Sequence, residues 1–306
     1  MSVAEVPGLL DLLHGVSRDN PVWLKVAGIR HQTRWFTPTP PRGLQTGHDA
    51  SIINLDVTLE QPARAKTFLQ NILRSYVEES QTSPSRGFLS PAALDRLVLA
   101  CGGVPRDFLT LCGSALQIAR QRMNARTVGV QDVNHAAGTA AQTKLHELED
   151  DAAAARGRSQ ELVSALNAVR VFLLDQQQIT FLSVDFMDKE VHPDEYGLMQ
   201  GLMDLRMLHL INSGVSDAHH AGRRSEVYML DLSLYSGARL KRNLRVLDFA
   251  KDNLILKTAQ GLERGDTARK LIDLLRRGPL FNLERLSPIV LQRRGAGADE
   301  PFGVEE

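Results

Sequence analysis

The chain has 306 residues, room for two or three domains, and its 43% hydrophobic and 24% charged composition is that of an ordinary globular protein. Lys plus Arg and Asp plus Glu balance at 36 each, which excludes a global basic field for nucleic acid and an acidic one for basic partners, so any such signal is local. Cys101 and Cys112 fall on apolar helical positions and support neither a disulfide framework nor a zinc site. No apolar run is long enough to span a bilayer, and the amino terminus, with Glu5, Pro7 and Asp11, lacks signal-peptide character, so a cytoplasmic protein with no membrane partner is expected.

In chain order, residues 8–16 read as the end of an amphipathic helix carrying Leu9, Leu10, Leu12 and Leu13, closed by Asn20-Pro21. Val22 to Ile29 is a short apolar run of the kind expected for a buried parallel strand. Arg30, His31 and Arg34 follow at its end, where open α/β sheets bind ligands. A Pro/Gly-rich loop from Pro38 to Gly47 leads to a second strand-like run, Ile52 to Val57, and then to a helix from Ala63 to Val77.

Ser90 is a helix N-cap with Pro91 at the first helical position, and Leu94, Leu97, Val98 and Cys101 repeat at helical spacing before Gly102-Gly103. Pro105 opens a second helix whose first turn carries Arg106. The helix dipole opposes a lone cation there by roughly 0.3–1 kcal/mol and favours an anion, so Arg106 is well placed to meet a phosphate. The competing reading is an ordinary helical hairpin with Arg106 a solvated surface charge.

Gly102-Gly103-Val-Pro-Arg106 resembles the turn of the helical lid of AAA+ ATPases that supplies the sensor-2 arginine, and Thr127-Val-Gly-Val-Gln-Asp-Val133 looks like the start of the last lid helix. The resemblance implies that Arg106 touches the γ-phosphate of bound ATP. It also makes Val22–Ile29 the sensor-1 strand and Ile52–Val57 the last strand of the core. Arg30 and Arg34 become sensor or arginine-finger candidates, although an Asn or Thr usually holds the sensor-1 place. The chain holds no Gly-x-x-x-x-Gly-Lys-Ser/Thr and no strand ending in Asp-Glu before its first helix, so Walker A and Walker B are both missing. On this reading the chain is the carboxyl part of a longer ATPase.

An Ala- and charge-rich helix, His135 to Arg156, carries the acidic run from Glu147 to Asp151, and a new unit starts at Gly157. Leu162, Ala165, Leu166, Val169, Phe172 and Leu173 form one apolar stripe, Ile179 to Val184 a strand, and His192 to Leu205 a further helix. Met207–Asn212 and Glu226–Leu232 bracket a polar loop from Ser213 to Arg224 as a hairpin. This order resembles a winged-helix domain, of the kind that follows the lid in initiator-type AAA+ proteins. Phosphate contact is then expected from Arg223 and Arg224 at the hairpin tip, with His219 and His220 beside them, and from Arg239, Lys241, Arg242 and Arg245. The helix that would enter the major groove offers Glu195, Tyr196, Gln200, Asp204 and Arg206, a poor set for base readout, so protein or interdomain packing competes with DNA contact and with a solvated hairpin. Asp217 with His219 and His220 lacks a third ligand at metal spacing and reads as a solvated loop. Tyr235–Asp248 and Leu271–Arg277 read as amphipathic helices, and the tail from Arg293 to Glu306 as disordered.

The expected fold is mainly α with an α/β remnant. Residues 1–82 end an AAA+ core, 83–156 form a four-helix lid, 157–250 a winged-helix domain, and 251–306 a helical segment and disordered tail. The expected function is the nucleotide-sensing lid and winged-helix portion of an AAA+ ATP-binding protein, with no ATPase activity of its own; the alternative is a non-enzymatic winged-helix adaptor for DNA or protein. ATP and Mg²⁺ belong to a complete relative or to a partner chain bearing a P-loop, and none is expected on this chain alone. DNA, a protein partner and self-association are the partners this reading entertains.

Overall fold

The computed structural model describes residues 5–18, 20–28, 33–45, 47–53, 55, 57–80, 87–123, 125–154, 158–216, 222–236, 243–249, 253–257, 262–267 and 271–296. It is mainly helical with small antiparallel sheets. Compactness divides the chain into Met1–Asp56 and Val57–Glu306.

The first unit holds helix α1 (Val6–Ser17) and a two-stranded ribbon of β1 (Phe36–Pro38) and β2 (Pro41–Gly43), paired from Phe36↔Gly43 to Pro38↔Pro41. Its helix buries only Pro7 and Leu10. The two runs read as core strands are not strands. Among the described residues of the two runs, 22–28, 52, 53, 55 and 57, none joins a ladder, and Trp23, Ile53 and Leu55 are 84%, 81% and 82% exposed. A run of β-formers becomes a strand only when a neighbour accepts its backbone hydrogen bonds, and no ladder partner is found for these runs among the described residues.

The second unit begins with four helices: α2 (Pro62–Glu79), α3 (Pro91–Cys101), α4 (Pro105–Gln121) and α5 (Val130–Ala154). They pack on one another through Ala65, Leu69, Leu97, Phe108, Ala115 and Val133, all fully buried or nearly so. Thus α2, which the sequence reading placed with the first domain, packs with α3 and α4 instead. A parallel bridge between Leu89 and Val128 ties the start of α3 to the start of α5.

Helix α6 (Arg158–Arg170) continues into a π-helical stretch, Val171–Gln177, which ends where Gln178 turns left-handed at φ 52°. Every member of the Leu162-to-Leu173 stripe is buried. Strand β3 (Phe181–Asp185), helices α7 (Phe186–Val191) and α8 (Pro193–Asp204), and strands β4 (Leu208–Ser216) and β5 (Arg224–Leu230) follow, with sheet order β3-β5-β4. The hairpin runs from Leu208↔Leu230 to Ser216↔Arg224, with irregularities between Leu210 and Val215.

Tyr235–Asp248 is not an amphipathic helix. A short 3₁₀ turn, Leu232–Leu234, precedes it, Asn243 stands at φ 58°, and Arg245–Asp248 is strand β6. A left-handed residue ends any right-handed helix through it. Strand β6 pairs with β7 (Asn253–Lys257), which pairs with β8 (Leu262–Thr267), so the carboxyl region is not only helical.

The helix read at Leu271–Arg277 is present as α9 (Leu271–Leu275). Beyond it the chain docks as a strap. Pro279–Phe281 lies along the free edge of β3, with Ser183 N–H donating to Pro279 O and Phe281 N–H to Ser183 O, each at 2.8 Å. Phe281 meets Phe172 edge-on at 5.1 Å, and Leu283, Leu286 and Val290, from a 3₁₀ turn and helix α10 (Ser287–Ala296), are buried. One continuous apolar core runs from Leu59 to Val290. No helix among the described residues is long and apolar enough to cross a membrane.

Candidate functional site

The turn between α3 and α4 is built by local chemistry. Ser90 Oγ accepts from Ala93 N–H at 3.2 Å to start α3, and Gly102, at φ 60° and ψ 17°, ends it. Gly103 stands at φ 90°. A Cβ on Gly102 would collide with the His209 imidazole, and one on Gly103 with the Val57 carbonyl, so both positions need glycine for conformation and for closeness. Val104 is extended and Pro105 starts α4, which leaves Arg106 exposed in the first turn and turns Asp107 inward.

Behind Arg106 lies a polar junction between the four helices and the sheet. Asp107 Oδ1 accepts from Arg206 Nη1 at the end of α8. Lys144 of α5 stands 3.7 Å from Asp107 Oδ2 and 3.5 Å from Asp231 Oδ2. His209 Nε2, on β4, lies 2.7 Å from the same Asp231 oxygen, while Asp231 Oδ1 accepts from Ser233 N–H at 3.0 Å and from Ser233 Oγ. Two carboxylates thus face two permanent cations, Lys144 and Arg206, inside the protein.

Asp231 is 1% exposed. Burial alone would raise its pKa. The His209 hydrogen bond, the Lys144 and His209 charges and the Ser233 bond outweigh that and hold the carboxyl below the usual range. Cys101, next to the turn, shows the reverse: burial first, then the charges of Asp107 and Asp231, push its thiol up to about 12. Burial pushes Cys112 to about 11. Neither thiol has the character of a nucleophile.

The remaining predicted site residues are scattered. Arg34 is exposed in the first unit, and Arg30 and His31 lie outside the described residues. Arg223 and Arg224 are exposed on the β4–β5 hairpin, whereas Arg239, Lys241 and Arg242, with Asp217, His219 and His220, lie outside the described residues. Arg245 is half-buried on β6, where its N–H donates to Gln178 O at 2.9 Å and its guanidinium to Gln177 O at 3.1 Å. Among the described residues, no three His, Cys, Asp or Glu side chains gather as metal ligands.

From Glu195 to Arg206, no residue of α8 or the turn after it is exposed. Ser287 Oγ on the strap donates to Glu195 Oε1 at 2.6 Å, and Tyr196 Oη donates to Glu226 Oε2 at 2.9 Å. Burial, with Glu226 alongside, pushes the Tyr196 hydroxyl up to about 12.

The Asp107–Lys144–Arg206–His209–Asp231 junction was not read from sequence as a site. Its signal was a polar residue inside an apolar run: His209 within Met207–Ile211, and Asp231 between Leu230 and Leu232. Set against known family models, curated proteins and solved structures, the chain matches none of them.

Proposed function

We propose that this chain is the nucleotide-sensing lid and winged-helix portion of an AAA+ ATP-binding protein, acting on a nucleotide whose P-loop is supplied elsewhere. The observation that carries the reading is the α3–α4 turn. It holds Arg106 outward at the start of α4, while the adjacent Asp107 is locked inward to Arg206, beside the hairpin. A phosphate drawing on Arg106 therefore pulls on an element that is pinned to the helix–strand–helix–helix–hairpin unit, and the two move as one body. Arg106 fits a terminal phosphate as a charge partner. The sequence holds neither a Walker A nor a Walker B motif to hold Mg²⁺ in the P-loop manner, and the proposal assigns no hydrolytic step to this chain.

The covered α8 favours packing or phosphate contact over base readout for the winged-helix unit. Base readout needs exposed side chains on the helix that enters the groove, and α8 has none from Glu195 onward. DNA contact on this reading falls to the exposed hairpin arginines Arg223 and Arg224, together with Arg239, Lys241 and Arg242, which lie outside the described residues.

Fluorescence anisotropy with labelled ATP and a random DNA duplex, at low and high salt, tests the proposal. ATP alone gives no saturable binding, and duplex binding, if made, is steeply salt-dependent and loses about two units of salt slope in Arg223→Ala/Arg224→Ala. Micromolar ATP binding that disappears in Arg106→Ala would mean that phosphate is recognised without a P-loop and would overturn the proposal.

A further inference from the structure

We propose that a small cavity under β6 is a binding site for a small organic anion, a carboxylate or phosphate monoester carried on a flat apolar body. The cavity, of about 120 Å³, is lined by the polar side chains of Arg245, Arg277 and Gln177 and by Ile179, Phe181, Leu274 and Pro279, which form its apolar part. By the same measure one water needs about 10–15 Å³, so the space takes about ten heavy atoms, the size of an aromatic acid.

Each guanidinium is anchored by a backbone carbonyl and keeps donors to spare. Arg245 donates to Gln177 O at 3.1 Å, and Arg277 Nε donates to Asp273 O at 3.0 Å. A guanidinium has five N–H donors in a planar fork that matches a carboxylate or phosphate. Among the described residues neither arginine has a carboxylate partner. Asp273, on α9, turns its side chain toward Arg276, at 3.9 Å. Two like charges on one small cavity repel, and an anion between them removes the repulsion.

The apolar lining answers to a different part of the ligand. Ile179, Phe181 and Leu274 are buried, and a Cβ on Gly278 would strike the Phe181 ring, so the Arg277–Pro279 turn is held hard against that lining. A bare phosphate would leave that apolar surface unused, whereas an aromatic or branched acid covers it. This site is independent of the nucleotide-sensing reading and reassigns Arg245 from nucleic acid to a small ligand.

The test is NMR of the whole protein with ¹³C-labelled Ile and Leu methyls, titrated with benzoate, phenyl phosphate, inorganic phosphate, benzamidine and a short DNA duplex. Ile179 and Leu274 methyls shift saturably with benzoate and phenyl phosphate, inorganic phosphate binds more weakly, and benzamidine does not bind. Arg277→Gln, an exposed position whose change leaves the unfolding midpoint in place, weakens the organic anions at least tenfold, and Arg245→Gln does the same. The proposal fails if these methyls do not move at tens of millimolar ligand, if benzamidine or inorganic phosphate matches phenyl phosphate, or if only DNA shifts them.

Discussion

The regions on either side of Asp56 use apolar side chains in opposite ways. Beyond it, the stripes of α3 and α6 are buried in one core, which closes with Phe281 and Leu286 fully buried. Before it, Leu12, Val16, Trp23, Ile52, Ile53 and Leu55 stand in solvent, although their sequence is as apolar. The difference teaches that apolar content is a demand for a partner and not the possession of one. Single exposed hydrophobics are ordinary, and the contrast lies in how many of them this short unit carries.

The comparison breaks first at Phe281. Phe281→Ala empties a fully buried ring site and is expected to cost about 3–5 kcal/mol by urea denaturation. A loss below about 1 kcal/mol would mean that the strap contributes little to the second unit's core. Next comes the charged junction. Asp231→Asn weakens bonds to His209, Lys144 and Ser233, and about 1.5–3 kcal/mol at pH 7 is expected.

The sign with pH follows from the direction of the Asp231 shift. Its folded pKa lies below the unfolded value, so the contribution is complete above roughly pH 4 and is lost as pH falls through the folded value. Urea midpoints of wild type and Asp231→Asn therefore converge on acidification, and parallel curves from pH 7 to 3 would contradict the assignment. The smallest effect belongs to the first unit: Trp23→Ala, at an 84% exposed residue, changes the unfolding free energy by less than about 0.5 kcal/mol. A loss approaching that of Phe281→Ala would erase the contrast between the units.

Legibility followed the range of the interactions. Helices α3 and α4 were readable because Ser90, Pro91, Gly102 and Pro105 each act within a turn, and the β4–β5 hairpin because its two apolar runs flank a polar loop. Arg106 was readable for the same local reason. The junction was not, because Asp107, Lys144, the Arg206–His209 stretch and Asp231 come from four separate places and meet only through tertiary packing. Val22–Ile29 and Ile52–Val57 failed in the other direction: their composition promised a ladder, but pairing is a property of two segments and not of one. The 235–248 segment misled because its apolar spacing suited a helix while Asn243 took a backbone that no right-handed helix contains.

The strap along β3 has a consequence for how the protein comes into being. Ser183 receives its edge partner only from Pro279–Phe281, so during synthesis β3 leaves the ribosome long before the residues that seal its edge. Until they arrive, one side of the sheet is an open template of N–H and C=O groups, and α6 and α8 lack their cover. Closing that long loop is a non-local step, of the kind whose entropy cost slows folding. The nascent chain is accordingly most exposed to mispairing in the interval between residue 230, when the hairpin is complete, and residue 290.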